Sequence, residues 1–253
     1  MQRREPMKFN GKTAAQYIHR VIIPECQAFA DVVTNRLLPT FDNFGKEAIE
    51  HGEKWFRDKV GNPDPLNYEE PGAAEYFAEE EYKANEYFAS KAIDETLLFA
   101  DMLIGMLYAS TALYSAGFFH LFEQHAAELQ VLVLRGHPKE ISLKDVTRWL
   151  KKDAGVDVAT LGNWDTIYND LRLVANAVKH AEGRSTAQLR LKRPELFIHP
   201  RERQGLMRTT SIRLPVRKPL FGEDLYIAPS DFCGYSKAVV GFWTELAELL
   251  GQD

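Results

Sequence analysis

The residues best suited to chemistry lie in one short stretch, Asp170-Leu171-Arg172-Leu173-Val174-Ala175-Asn176-Ala177-Val178-Lys179-His180-Ala181-Glu182-Gly183. On an α-helix each residue turns by about 100°. Leu171, Val174, Ala175 and Val178 then make an apolar stripe, and Arg172, Asn176, Lys179 and His180 line another face. One helix would bury one side and present guanidinium, carboxamide, ammonium and imidazole on the other. That set suits RNA cleavage by transesterification. The reaction needs a base for the 2′-OH, an acid for the 5′-oxygen and a cation for the crowded phosphorane. Histidine moves protons near neutral pH, and arginine grips two phosphate oxygens in a planar fork. Asn176, one turn before His180, is placed to orient the imidazole. The same spacing also describes a solvated helix face with favourable charge at its C-terminal end.

A second constellation is His120-Leu121-Phe122-Glu123-Gln124-His125. His120 and His125 are five residues apart and so about 140° apart around a helix. That is poor geometry for joint zinc ligation, and no metal site is expected. His120 or Glu123 is instead expected to face the Arg172–His180 helix, with Glu123 orienting His180 or balancing Arg172. The alternative is that both are ordinary surface groups.

The net charge of −5 disfavours generic polyanion binding by the whole chain. It hides an asymmetry. Residues 42–101 carry 16 acids and 6 bases, whereas 179–218 carry 11 bases and 3 acids. Within the basic stretch Arg184, Arg190, Lys192, Arg193 and Arg201 are candidate RNA contacts. Two other readings stay open: that these residues dock on the chain's own acidic half, or that they face solvent. No phosphate-binding glycine loop, dinucleotide fingerprint or nucleophile elbow occurs, and no cofactor is expected. Cys26 and Cys233 read as small packing residues in a reducing compartment.

The string ANAVKH resembles the signature helix of the HEPN superfamily (higher eukaryotes and prokaryotes nucleotide-binding domains). LYSAGFFHLFEQH (113–125), LRLVANAVKHAEG (171–183) and RPELF (193–197) resemble uncharacterised bacterial HEPN-like proteins, so the likeness spans roughly 95–200. It implies an α-helical bundle, and a metal-independent ribonuclease of phage-defence or toxin–antitoxin type. It also implies a homodimer in which two motif helices meet, and a protein partner from the same operon. The family motif is an arginine, four to six residues and a histidine, with a polar residue often directly after the arginine. Asn176 and His180 match the polar residue and the histidine. Ala175 stands where the arginine belongs, and Arg172 lies one turn earlier. Either Arg172 takes over, or the site is degenerate and the domain only binds nucleotide, nucleic acid or a partner.

The elements that must position these residues read as mainly α: a HEPN-like helical bundle with a long central helix and a short β element near the C-terminus. Pro24 and Pro39 are expected to end or kink helices. Residues 61–72 are the clearest loop. The chain divides into an N-terminal helical segment with that Pro/Gly loop (1–72) and a bundle (73–253) with a short β insertion at about 196–228. A proline-free run from Ala73 to about Leu134 predicts one long helix, with Gly105 or Gly117 as bend points, and Arg135-Gly136-His137-Pro138 as its stop. Its uncharged part, 102–119, nears the length of a membrane span. It has no basic flank or aromatic belts, so it is expected to be the buried middle of a soluble fold. The first twelve residues lack the apolar core of a signal peptide, which points to the cytoplasm and away from a membrane. Ser142 is expected to start one further helix, Asn163 to cap another that runs to about Ala181 with Gly183 following as its C-terminal signal, and Ser230-Asp231 to cap a last one, 231–250.

Overall fold

The computed structural model describes residues 10–60, 73–134, 142–203, 205, 215–217, 219 and 224–252. The expected loop at 61–72, the stop at 135–138, and residues 206–214 and 220–223 of the expected β element lie outside the described residues. What is described is mainly α-helical. The chain forms two compact units, one from Met1–Pro39 with Tyr108–Asp253, the other from Thr40–Leu107.

In the first unit the chain enters through α1 (Gly11–Tyr17), whose Thr13 N–H is capped by Asn10 Oδ1 at 3.0 Å. A π-turn (Ile18–Ile22) leads directly into α2 (Ile23–Val32), with the Ile23 N–H returning to Ile18 O. Pro24 therefore does not end the helix. It sits at the start of α2, where a missing N–H costs little and the wider turn makes room for the ring. Pro39 falls in a short 3₁₀ turn, Leu38–Phe41.

The second unit is a helical hairpin of α3 (Phe44–Val60) and the first part of α4 (Ala73–Leu134). His51 stacks on Phe99 with ring centroids 4.3 Å apart, and Trp55 meets Phe88. At Gly52 the two helices come close. A Cβ there would lie 1.8 Å from Thr96 Oγ1 and 2.9 Å from the Ala92 carbonyl oxygen.

α4 is continuous over 62 residues. From Ala78 to Val131 it is long and apolar enough to cross a membrane, by length and composition. Its most apolar 18-residue window has mean hydropathy 1.6, yet only 22% of that window is buried. Leu98, Met102, Met106 and Leu113 are each about half exposed or more. The expectation that the uncharged run is covered on all sides is thus corrected. Burial is concentrated further along, at Phe118, Phe122 and Leu129.

After α5 (Leu143–Asp153), opened by a reciprocal Ser142/Asp145 cap, come α6 (Trp164–Thr166), a π-turn (Ile167–Leu171) and α7 (Arg172–His180). Asn163 contributes no side-chain cap. Then follow α8 (Arg184–Lys192), α9 (Pro200–Arg203) and α10 (Pro229–Gly251). α10 starts two residues earlier than expected. Pro229 occupies its first turn, and Asp231 Oδ2 accepts the Ala228 N–H at 2.9 Å.

No strand occurs among the described residues. Leu225 and Ile227 are buried and Tyr226 lies between them, the alternation that suggested a strand. Tyr226 N–H donates to Leu196 O at 2.7 Å, but no ladder of paired bonds forms around it. Alternation here marks an extended segment pressed on helices, not a sheet.

Candidate functional site

α7 separates its faces as its residue types require. Leu173, Val174, Ala175, Ala177 and Val178 are buried, Arg172 and Asn176 are half-buried, and Lys179 and His180 are exposed. Its entry is a wide turn in which the Arg172 N–H returns to Ile167 O, five residues back. Tyr168 O, the acceptor that an α-turn would offer that N–H, takes Arg172 Nε instead at 2.8 Å. The guanidinium carbon lies 4.3 Å from the centroid of the Tyr168 ring, which in turn stacks on Trp164 at 5.1 Å. Trp164, Tyr168 and Arg172 thus form a ladder of i, i+4 contacts that fixes the arginine. Tyr168 was not among the residues singled out from the sequence, although its spacing from Trp164 and Arg172 is the signal that finds it.

The exit of α7 is equally specific. Ala181 has φ 56° and ψ −131°, a region that residues with a Cβ rarely enter, and its N–H bonds Ala177 O at 2.9 Å. Its carbonyl accepts the Thr186 hydroxyl. The stop falls at Ala181, where the helix is expected to end, and it leaves His180 as the last helical residue. Among the described residues neither Asn176 nor His180 makes a side-chain hydrogen bond or ion pair.

Across from α7, α4 brings Glu123 into the field of Arg172 and Lys179. Burial pushes the Glu123 carboxyl above its usual range, and His120, Lys179 and Arg172 pull it back part of the way. His120 is one turn earlier on α4, with Nδ1 3.9 Å from Glu123 Oε2, and its Nε2 accepts from Gln124 Nε2 at 3.3 Å. His120 or Glu123 is expected to face the α7 helix; Arg172 and Lys179 act on Glu123 through their charge, and His180 is not among the groups acting on it.

His125 has a different role from His120. His120 is 70% exposed and His125 3%. The His125 Nε2–H donates to Glu25 Oε2 at 2.8 Å, and its Nδ1 lies 3.6 Å from Cys26 Sγ, joining α2 to α4 inside the first unit. Among the described residues no group of three or more histidine, cysteine or acidic side chains could hold a metal ion.

No family model, curated protein or solved structure matches this chain.

The basic stretch after α7 is largely held internally. Arg190 pairs with both oxygens of Glu182 at 3.1 and 3.0 Å and covers the Phe197 ring. Glu182 also accepts the Val216 N–H at 2.8 Å. Arg190's hydrogen bond holds the Glu182 carboxyl below its usual range. Lys192 meets Asp165 at 3.2 Å. Arg193 bonds Asp170 at 2.6 Å, Asp231 at 2.8 Å and Glu195. Arg190 and Arg193 therefore cannot take a phosphate without giving up these partners. The partners are not the acids of 42–101; in that segment Glu79 and Glu80 instead hold Lys83. Arg201 is half-buried, with its N–H on His199 Nδ1. Arg184 is exposed and makes no ion pair or hydrogen bond among the described residues. Arg208, Arg213 and Lys218 lie outside the described residues.

Proposed function

We propose that this protein is a HEPN-like endoribonuclease that cleaves RNA by metal-independent transesterification, of the kind that serves phage defence or toxin–antitoxin pairs. The observation that carries the reading is the α7 face. Arg172 and Lys179 share the field of Glu123, Asn176 lies between them, and His180 ends the helix in solvent. In this reading Arg172 holds the scissile phosphate with Lys179 assisting, and Asn176 is the orienting group beside His180. The 2′-oxygen attacks phosphorus and the P–O5′ bond breaks, giving a 2′,3′-cyclic phosphate and a free 5′-hydroxyl. His180 transfers a proton in that step. It is the group of this face able to give a proton to the leaving 5′-oxygen. Arg184 extends the positive surface by one exposed cation. A homodimer and a partner from the same operon belong to the same proposal.

The test is cleavage of defined RNAs by purified protein in a chelator, with end-group analysis. Wild type gives 2′,3′-cyclic phosphate ends, and His180→Ala loses about 100-fold or more in rate. Equal cleavage by the two proteins overturns the assignment.

A second reading rests on Ala175, which is buried with 7% exposure and so offers no cation at the position of the family arginine. In that reading the domain is a catalytically silent module that binds nucleotide, nucleic acid or a protein partner. It predicts salt-dependent binding that His180→Ala leaves unchanged.

A further inference from the structure

We infer that the polar cavity between α6, the π-turn at Ile167–Leu171 and α10 binds a small zwitterion, a free amino acid or a close analogue of one. The inference stands apart from the ribonuclease reading and does not need it. The cavity lies within the first unit and holds about 360 Å³, within the range of small-molecule sites. Its wall includes Asn163, Thr166, Asp170, Arg193, Tyr235 and Lys237.

Two buried oxygens on this wall lack partners. Tyr235 is 2% exposed, and its Oη has no hydrogen-bond partner among the described residues. Asp170 Oδ2 is held by Arg193 at 2.6 Å, but Asp170 Oδ1, closed to solvent as well, has none among the described residues. Folded proteins leave few buried polar atoms unpaired. Two on the wall of one cavity mark a place where a bound molecule supplies the missing bonds.

Charge selects the molecule. Three carboxylates, Asp170, Asp231 and Glu195, share the single guanidinium of Arg193. The inner wall therefore keeps negative charge, and Asp170 Oδ1 can only accept. A ligand ammonium brings three N–H donors, enough for Asp170 Oδ1 and Tyr235 Oη together. Lys237 is exposed, lines the same cavity and carries no ion pair among the described residues. It offers a cation to a carboxylate at the solvent side. An anion alone meets the carboxylates of the inner wall, and an amine alone leaves Lys237 unanswered. Asn163 adds one amide donor and acceptor, held against α10 where Gly241 leaves it room: a Cβ there would lie 2.7 Å from Asn163 Nδ2.

The experiment is titration calorimetry of the full-length protein with each of the common L-amino acids, and with propylamine and propionate as single-charge controls. At least one amino acid is expected to bind tenfold or more tightly than either control. Tyr235→Phe removes only a hydroxyl and keeps the buried ring, and it should weaken that binding about tenfold. Lys237→Met, a change at an exposed position, should bring the amino acid down to the level of propylamine. If none of the probes binds at millimolar concentration, the cavity holds only water and the inference is overturned. Binding that neither variant weakens lies elsewhere on the protein and overturns it too, as does propylamine binding as tightly as every amino acid.

Discussion

Arg193 is the residue on which the C-terminal half of the first unit is most tightly knotted. Its three guanidinium nitrogens reach Asp170, Asp231 and Glu195. Asp170 and Asp231 are each 16% exposed, so little water replaces the arginine once it is gone. Arg193→Met leaves these carboxylates facing one another, and a loss of about 3 kcal/mol is expected, read as a lower urea midpoint at pH 7. An unchanged midpoint refutes it. The same clasp sets a pH dependence. Burial alone would raise Glu195, but the hydrogen bond and charge of Arg193 outweigh it and hold the carboxyl low. A carboxyl held low stabilises the fold above its unfolded pKa of about 4.3, and that contribution fades as pH falls through the folded value. The wild-type midpoint should therefore hold near neutrality and drop below about pH 4, with a shallower drop in Arg193→Met. The sequence shows α7's two faces, because helical spacing alone dictates them; the approach of Glu123 from α4 is a matter of tertiary packing. Nor does the sequence show Arg193's fate, since Asp170 and Asp231 lie 23 and 38 residues away and no local pattern selects them among the chain's acids. The basic stretch consequently looks like a phosphate surface and is in good part an internal fastening.

At the scale of elements, the hairpin of α3 and α4 depends on one missing side chain. Gly52→Ala places a methyl where Thr96 Oγ1 and the Ala92 carbonyl already stand. The threonine can rotate, but the backbone oxygen cannot. A cost of about 2 kcal/mol is expected, seen as faster amide exchange across 44–107, and Thr96→Ala should restore only part of it. Exchange as slow as in wild type contradicts this. The helices themselves are legible from proline spacing and apolar runs. Two kinds of event are not. The π-turns at Ile18–Ile22 and Ile167–Leu171 change the backbone register within a helical pattern. The segment around Tyr226 alternates like a strand yet has no strand to pair with. Both depend on what packs against the chain.

At the scale of the molecule, the helix enclosed on most sides is α10, not the uncharged run of α4. Phe232, Tyr235, Val239, Phe242, Trp243, Leu246 and Leu250 are buried along it, and Phe122 packs against both Phe242 and Trp243. Lack of charge marks a helix that can be buried. Only the supply of neighbours decides which one is. That enclosure reaches Cys26, which has no exposed surface and whose thiol burial pushes up to about 12. Cys233, half-buried near Thr34, is the more accessible of the two. The chain thus contains two sulfhydryl clocks running at different speeds. A colorimetric disulfide reagent at neutral pH should consume Cys233 promptly, and Cys26 only as fast as the interior breathes open. Should both sulfurs react together in unperturbed protein, the seal around the Glu25–His125 pair is far leakier than its geometry states.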